Sequence, residues 1–333
     1  MDRVQIDIQT VIADKALFDC LQGKKIFITG ATGLIGSMLV RTLHAADLRY
    51  GLHLKLIGQI RNKEKAEKLL AGIDIDYVYN YDADCDFIVH TVSPTTSKFF
   101  VEHPVETIKS SVESTMAILE TARKCKASLV YLSSMEEYGV PYIPGEVMTE
   151  DKVGIIDHLN VRASYSESKR LCECLCVSYA KEYAVDAKIA RLAQTVGAGV
   201  PLTDNRMPIQ FARAVVEKKD IVLHTEGKSI SNFVYLTDVL KAILILLDKG
   251  VAGEAYNVCN DTETRSVKEI ASLVAEEVAC GEIKVCIEKQ EGMGYAPDNT
   301  MRLSSDRMRG LGWNAEVGMV EAYRRLVEYL TKC

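Results

Sequence analysis

The stretch Lys25-Ile26-Phe27-Ile28-Thr29-Gly30-Ala31-Thr32-Gly33-Leu34-Ile35-Gly36 decides the fold of this chain of 333 residues. A short apolar strand runs into three evenly spaced glycines, which open a helix. Gly30 can take the tight turn, Gly33 lets the backbone approach a pyrophosphate, and Gly36 allows close packing of helix on strand. The helix N-terminus then offers unpaired N–H groups to phosphates. We therefore predict a dinucleotide site, with contacts from Gly30, Thr32, Gly33, Leu34, Ile35 and Gly36.

Strand and helix patterns alternate beyond this turn. Helical patterns follow at 34–45, 63–70 and 105–124, and another begins near Ser166. Such alternation is typical of right-handed crossovers and a parallel sheet that is covered on both faces. We predict an α/β fold: a Rossmann-type doubly wound parallel sheet with a smaller C-terminal α/β substrate-binding region. The predicted strands are 25–29, 54–60, 87–91, 129–133 and 188–192.

Three regions are predicted along the chain. Residues 1–23 form an amphipathic lead-in helix, residues 24–196 the dinucleotide-binding domain, and residues 197–333 the substrate-binding region. The chain is expected to cross back to the first domain near residues 230–250. The third region has more glycine, proline and polar loop residues. Its predicted helices lie at 208–218, 239–249, 266–280 and 317–330.

Composition excludes several classes of protein. The net charge of −6 argues against a nucleic-acid backbone as the main partner. No apolar run approaches the roughly 20 residues of a membrane helix, and the start lacks the pattern of a signal peptide. Ten cysteines without such a signal indicate a reducing cytoplasm. The group Cys172, Cys174 and Cys176 lacks the spacing of a metal site and is interpreted as a buried helix face, with no metal expected.

The end of the second predicted strand bears on the choice of cofactor. NAD enzymes usually place an acid there for the ribose 2′-hydroxyl, whereas an arginine accommodates the 2′-phosphate of NADP. This chain has no acid there. Arg61, together with Lys63 or Lys65, is suited to the extra phosphate, which favours NADP. The alternative is that Arg61 stacks on adenine or lies in solvent.

A tyrosine and a lysine stand four residues apart at the start of a predicted helix. The i, i+4 spacing of Tyr165 and Lys169 places phenol and ammonium on one face. A free phenol titrates near 10, too high for a base at neutral pH, but a nearby cation favours phenolate. Tyr165 can then take a proton from an alcohol, and Lys169 can bind the cofactor ribose. Ser134, at the end of the strand before it, is predicted to orient the substrate hydroxyl; the alternative is a hydroxyl that only satisfies local backbone groups.

These motifs together resemble the extended short-chain dehydrogenases of the NAD-dependent epimerase/dehydratase family, which modifies nucleotide sugars. The resemblance extends from about Lys24 to the C-terminus. It includes the glycine turn, the run Ser133-Ser134-Met135-Glu136-Glu137-Tyr138-Gly139, the Tyr165/Lys169 pair and the stretch Phe233-Val234-Tyr235-Leu236-Thr237-Asp238. It implies hydride transfer from a sugar carbon to NAD and a transient keto-sugar. Epimerases, dehydratases and decarboxylases differ in the fate of that keto-sugar.

The resemblance also implies roles for further residues. Dehydratases have an acid at the position of Met135, so that acid is missing here. Glu136 matches a glutamate of UDP-glucuronate decarboxylases and is expected either to act on the substrate or to orient Tyr165 or a loop. The substrate-binding residues are predicted to be Ser93, Gln194 and Arg206.

Several positions depart from the family pattern. Ser111 stands where the family often has asparagine, and Gln194 where an asparagine contacts sugar or phosphate. Ser231 replaces an arginine that grips the diphosphate, which weakens the nucleotide-sugar assignment, although Arg206 matches another basic family position.

Three functions remain as alternatives. The first is a nucleotide-sugar epimerase, dehydratase or decarboxylase with tightly held cofactor. The second is an NADPH-dependent ketone or aldehyde reductase resembling dihydroflavonol reductases, which Arg61 and Ser231 favour. The third is a non-catalytic cofactor-binding protein, disfavoured by the presence of Ser134, Tyr165 and Lys169. The resemblance further implies a homodimer formed through the helices near 105–124 and 166–183.

Overall fold

The structure, a computed structural model, describes residues 2–94, 96–290 and 299–332. Short 3-10 segments cover Lys15–Leu21 and Met135–Tyr138, and a π turn covers Val274–Val278. The α-helices are α1 (Arg3–Ile12), α2 (Leu34–Tyr50), α3 (Lys63–Leu69), α4 (Ser97–Glu102), α5 (Pro104–Cys125), α6 (Ala163–Tyr183), α7 (Met207–Glu217), α8 (Leu236–Lys249), α9 (Val267–Leu273), α10 (Asp306–Gly310) and α11 (Met319–Thr331). The strands are β1 (Lys25–Thr29), β2 (Lys55–Gln59), β3 (Asp76–Val78), β4 (Phe87–His90), β5 (Ser128–Ser134), β6 (Val147–Met148), β7 (Ala187–Leu192), β8 (Gln194–Val196), β9 (Ile221–Leu223), β10 (Ile230–Tyr235), β11 (Ala255–Val258), β12 (Asn260–Ser266), β13 (Val285–Ile287) and β14 (Arg302–Leu303).

Seven parallel strands form the large sheet, in the order β11-β7-β5-β4-β1-β2-β3. Its apolar strands are covered by helices on both faces. The predicted doubly wound Rossmann-type fold is therefore confirmed. The strand order reverses between β1 and β4, where Thr29 pairs with His90. Ligands of such sheets bind at the carboxyl ends of the strands beside this reversal, which places the site there.

The first helix packs against the body of the protein. Its apolar side, Val4, Ile8, Val11 and Ile12, is buried in the main core. Asp7 on the same helix is fully buried, and its carboxylate accepts a hydrogen bond of 2.6 Å from the Tyr235 hydroxyl of β10. This carboxylate also pairs with two arginines, Arg3 at 2.8 Å and Arg325 of α11 at 3.6 Å. Helix α1 thus joins β10 to α11.

A smaller region follows β7. Strands β12, β10 and β8 form a sheet in which β10 is antiparallel to β12, and α7, α9 and α11 enclose a separate apolar core with it. The chain returns to the large sheet through α8, which is buried in the main core, and β11. The division of the chain at residues 23 and 196 remains a prediction.

Two local predictions need correction. The helix predicted at 266–280 is α9 over Val267–Leu273, continued by a π turn, and it begins one residue later because Ser266 and Glu269 form a capping box. The cysteine group is not wholly buried, since Cys174 is exposed while Cys172 and Cys176 are buried. These two are four residues apart and share the inner face of α6. Among the described helices, none has both the length and the apolar character that crossing a membrane needs.

Candidate active site

The glycine turn connects β1 to α2 at the strand reversal. Gly30 has φ +62°, a conformation that side-chain-bearing residues rarely adopt. Gly33 is the N-cap of α2 and supplies no side-chain hydrogen bond to the first N–H groups of the helix. A Cβ on Gly36 would lie 2.3 Å from the carbonyl oxygen of Gly30. The helix therefore approaches the turn more closely than a residue with a side chain at position 36 would permit. The arrangement fits a bound pyrophosphate, because the first N–H groups of α2 have no side-chain cap and follow a glycine-rich turn.

Gln59, the last residue of β2, holds this turn in place. Its side-chain oxygen accepts a hydrogen bond from the Gly30 N–H at 3.1 Å, and its backbone oxygen accepts one from the Ala31 N–H at 3.1 Å. The Gln59 side chain is 4% exposed. This residue was not predicted from the sequence, although a lone amide at the end of an apolar strand is a detectable signal.

Gly36→Ala is expected to weaken cofactor binding at least about ten-fold and to lower the free energy of unfolding by about 1–3 kcal/mol, because the new methyl group forces α2 away from the turn. Titration of NAD and NADP by calorimetry, together with urea unfolding, measures both effects. Gly310→Ala is the matched control, since a Cβ there meets no atom within 4 Å. Unchanged cofactor affinity in Gly36→Ala would contradict the assigned role of the turn.

Arg61 follows β2 by two residues and is exposed. Its guanidinium makes no hydrogen bond or ion pair with any residue that the structure describes, whereas Lys63 pairs with Glu67 at 3.6 Å. Arg61 is thus available to an anionic ligand at the end of β2.

Tyr165 and Lys169 lie on one face of α6 and are both buried. The phenol ring of Tyr165 is 8% exposed and stacks on Phe100 of α4, with ring centroids 4.3 Å apart and planes at 6°. The Lys169 Nζ lies 5.7 Å from the centroid of the Tyr165 ring. It donates a hydrogen bond of 2.7 Å to the Leu132 carbonyl of β5, which fixes the ammonium beneath the phenol.

Burial changes the acidity of both groups. It raises the pKa of Tyr165 to about 12, and the carboxylate of Glu136 adds to the increase, while the hydroxyls of Ser134 and Ser93 lower it. Burial also lowers the pKa of Lys169 to about 8. The phenol is therefore a proton donor at neutral pH, and it needs a further positive charge nearby to become a base.

Ser134 lies at the end of β5 and faces Tyr165. Its hydroxyl accepts a hydrogen bond of 3.2 Å from the Glu136 N–H. The Glu136 carboxylate forms an ion pair of 3.1 Å with Arg162, which also donates to the Ser97 hydroxyl at 3.3 Å. Arg162 was not predicted from the sequence. Met135 packs against the main core.

The three predicted substrate-binding residues differ in their burial and in their bonding partners. The Ser93 hydroxyl is buried and makes no full hydrogen bond with the described residues, although it is near enough to lower the pKa of Tyr165. Gln194 is exposed at the start of β8. Arg206 is already ion-paired at 2.8 Å with Asp204. Of these three residues, Ser93 is the one that lies near enough to Tyr165 to affect the pKa of its phenol.

Two departures from the family pattern have structural counterparts. The Ser111 hydroxyl is buried in α5 without a hydrogen-bond partner among the described residues. Ser231 on β10 pairs in register with Arg265 on β12. The Arg265 Nε is buried and has no hydrogen-bond partner among the described residues. A guanidinium therefore lies on the strand next to the position that lacks one.

Comparison with known proteins gives the family of this site. The model of the NAD dependent epimerase/dehydratase family matches residues 26–259, more than half of the chain and all of the large sheet except Lys25. The chain belongs to this family. The predicted class, an NAD(P)-dependent enzyme of the extended short-chain dehydrogenase type, is confirmed.

Members of the epimerase/dehydratase family are similar over nearly the full chain. UDP-glucuronic acid decarboxylase 1 of Xenopus tropicalis is 26% identical over 320 residues, which cover 93% of this chain and 72% of that protein. The UDP-glucuronic acid 4-epimerase of Bacillus cereus, solved with UDP-glucuronic acid and NAD, has a TM-score of 0.76 at 18% identity and covers 92% and 99% of the two chains. RMD of Pseudomonas aeruginosa, solved with NADPH, has a TM-score of 0.72 at 20% identity and covers 93% and 100%.

His90 connects the strand ends at this epimerase/dehydratase site. Its Nδ1 is 2.7 Å from the Thr29 hydroxyl, so the ends of β1 and β4 are tied where the strand order reverses. The ring is 1% exposed, and burial, with a contribution from Lys169, lowers its pKa to about 3. His90 is therefore neutral at physiological pH and acts as a fixed hydrogen-bonding group.

A buried charge network, which was not predicted from the sequence, links α6 to β5 and β7. Arg191 of β7 binds the Glu173 carboxylate of α6 through Nε at 3.1 Å and its terminal nitrogen at 2.7 Å. The same guanidinium lies 3.2 Å from Glu137. Glu173 also accepts a hydrogen bond of 2.5 Å from the Ser133 hydroxyl. The network thus fixes the helix carrying Tyr165 against the strand that ends in Ser134.

Glu137→Gln is expected to flatten the pH dependence of stability. Burial, and next the charge of Glu173, raise the pKa of Glu137 to about 7, so its stabilising contribution is complete below about pH 4.5 and is lost as the pH rises to 7. The melting temperature of the wild type should therefore decrease as the pH rises from 5 to 8. The melting temperature of the variant should decrease less steeply over the same range. Thermal unfolding by circular dichroism measures this. Parallel curves for the two proteins would contradict the expected titration.

Proposed function

We propose that this protein converts a nucleotide sugar through a transient 4-keto-sugar, with Tyr165, Ser134 and Lys169 as the catalytic residues. The observation that carries the proposal is the meeting of these three side chains at the carboxyl ends of the strands, beside a glycine turn with uncapped helix N–H groups. A bound nicotinamide would supply a hydride acceptor and a positive charge at that edge.

Each residue has a defined task in this proposal. Tyr165 removes the proton from the sugar hydroxyl once a positive charge near the phenol favours phenolate. Ser134 orients that hydroxyl, and Lys169, held by the Leu132 carbonyl, supplies a cation beneath the phenol and donors for the cofactor ribose. The helix N-terminus at Gly33 holds the pyrophosphate.

We propose UDP-glucuronic acid as the first substrate to test. The similar decarboxylase and the similar 4-epimerase are both named for this compound. Oxidation at C4 makes the sugar acid a β-keto acid, from which carbon dioxide can leave while the C4 carbonyl takes up the electron pair. Ser93 and Glu136, which both influence the Tyr165 phenol, are proposed to contact the sugar, with Gln194 and Arg206 as further proposed contacts.

An NADPH-dependent reductase is the second candidate, and one observation favours it. Arg61 is exposed at the end of β2 without a partner in the described ranges, which suits the 2′-phosphate of NADP. A reductase would consume the cofactor in equal amount with its substrate, whereas the keto-sugar cycle of an epimerase or decarboxylase regenerates it.

The experiment that tests the proposal is mass spectrometry of any nucleotide that copurifies, followed by incubation with UDP-, dTDP-, GDP- and CDP-sugars. Conversion of a sugar without net change in NAD supports the keto-sugar cycle. An unconverted panel combined with stoichiometric oxidation of NADPH by ketones would establish the reductase. Binding of cofactor without either reaction would indicate a non-catalytic protein.

We also propose a cytoplasmic homodimer. Exposed apolar residues occur on α5 and α6, the two helices expected at the dimer interface: Val105, Ile108, Met116, Leu171 and Val177. The nine described cysteines are all free thiols, as a reducing compartment requires. Light scattering after size exclusion measures the mass, and a monomer at micromolar concentration would contradict this part of the proposal.

A further inference from the structure

An ion pair lies at the rim of the site between the two elements that carry Ser134 and Tyr165. Arg162 is the N-cap of α6, three residues before Tyr165, and Glu136 lies two residues after Ser134. Their side chains are 30% and 33% exposed and 3.1 Å apart. A third segment joins them, since Ser97 of α4 accepts a hydrogen bond from the other terminal nitrogen of Arg162.

The charges that face the Tyr165 phenol come from few groups. Glu136, in the 3-10 segment that follows β5, is the anion that acts on it. Lys169 on the same helix is the cation, and Phe100 from α4 contributes an uncharged ring. The remaining polar neighbours are the hydroxyls of Ser134, Ser93 and Tyr131. A bare carboxylate at Glu136 therefore opposes the phenolate that proton abstraction requires.

We propose that Arg162 is a positioning residue for the proposed reaction: it pairs with Glu136 and cancels the repulsion between that carboxylate and the Tyr165 phenolate. The guanidinium is 30% exposed and pairs with Glu136 from the solvent side. The bond to Ser97 fixes its direction, so the ion pair is held by α4 as well as by α6. The inference rests on the proposed function, because it assigns Tyr165 the role of base.

A titration of the tyrosine itself tests the inference without using turnover. Protein carrying tyrosine labelled with ¹³C at Cζ is saturated with NAD, and the Tyr165 signal is assigned by its loss in Tyr165→Phe. Between pH 6 and 11, Arg162→Gln should raise the Tyr165 midpoint by about one pH unit, and Glu136→Gln should lower it by a similar amount. The double variant and Arg162→Lys should both lie near the wild type, because each leaves the net charge of the pair near zero.

Arg307→Gln is the matched control. Arg307 also forms an exposed ion pair, 2.6 Å from Glu254, but at the amino ends of the strands, opposite the site. Coinciding Tyr165 titrations in wild type, Arg162→Gln and Glu136→Gln would overturn the inference. If the Tyr165 titrations shift as expected but the protein converts no sugar, only the proposed function is contradicted. If the protein converts a sugar but the Tyr165 titrations do not shift, only the role of Arg162 is contradicted.

Discussion

Tyr165→Phe is expected to lower turnover of the converted sugar by about 10³-fold or more, with cofactor affinity within about two-fold of wild type. The phenol oxygen is the proton acceptor in the proposed reaction, and phenylalanine lacks it. The ring itself remains, so the stack on Phe100 and the shape of the site are preserved. Steady-state kinetics and calorimetric titration with NAD measure the two quantities separately.

Tyr79→Phe is the control for this substitution, because Tyr79 is 61% exposed and outside the site. Ser134→Ala should retain more activity than Tyr165→Phe, since it removes an orienting hydroxyl rather than the base. Full activity in Tyr165→Phe would remove the proposed mechanism, whichever sugar is converted.

Arg191→Gln is expected to lower the free energy of unfolding by about 3–5 kcal/mol. The substitution leaves the carboxylate of Glu173 buried without its cation, and Glu137 loses its nearest positive charge. Part of this loss should disappear on acidification, because protonated carboxyls no longer need the guanidinium. Urea unfolding at pH 5 and pH 8 measures both the loss and its pH dependence.

Lys218→Gln serves as the control here, since its ion pair with Glu282 is exposed on both sides and should contribute less than about 1 kcal/mol. Arg191→Lys should be intermediate, because lysine keeps the charge but cannot span Glu173 with a fork of donors. A loss below about 1 kcal/mol for Arg191→Gln would show that the network is not a major source of stability.

The large sheet was predictable because its signals are local. The apolar strand before Gly30 and the helix after Gly36 are adjacent in the sequence, and the same is true of the Tyr165/Lys169 pair on α6. Each depends on the spacing of a few neighbouring residues. Ser134 and Ser93 are near enough to Tyr165 to lower the pKa of its phenol, while their roles in a reaction stay predictions.

The parts that escaped prediction depend on contacts between distant segments. Strand β12 is almost wholly polar, and its extended form is imposed by pairing with β10. Arg162 and Glu136 are 26 residues apart, and nothing near either residue indicates the ion pair. Arg191 and Glu137 are polar residues in apolar surroundings, which is a signal of a buried network but does not name the partners.

The contact between Asp7 and Tyr235 has a consequence for the order of folding. These residues are 228 positions apart, and the other arginine at that carboxylate, Arg325, is close to the end of the chain. During synthesis Asp7 therefore leaves the ribosome long before Tyr235 and Arg325 exist, whereas α2, against which α1 packs, follows it closely. The carboxylate can gain these two partners only after β10 and α11 have been made, so completion of the buried cluster around Asp7 belongs to the last steps of folding. A residue of α1 is thus among the last to reach its native contacts.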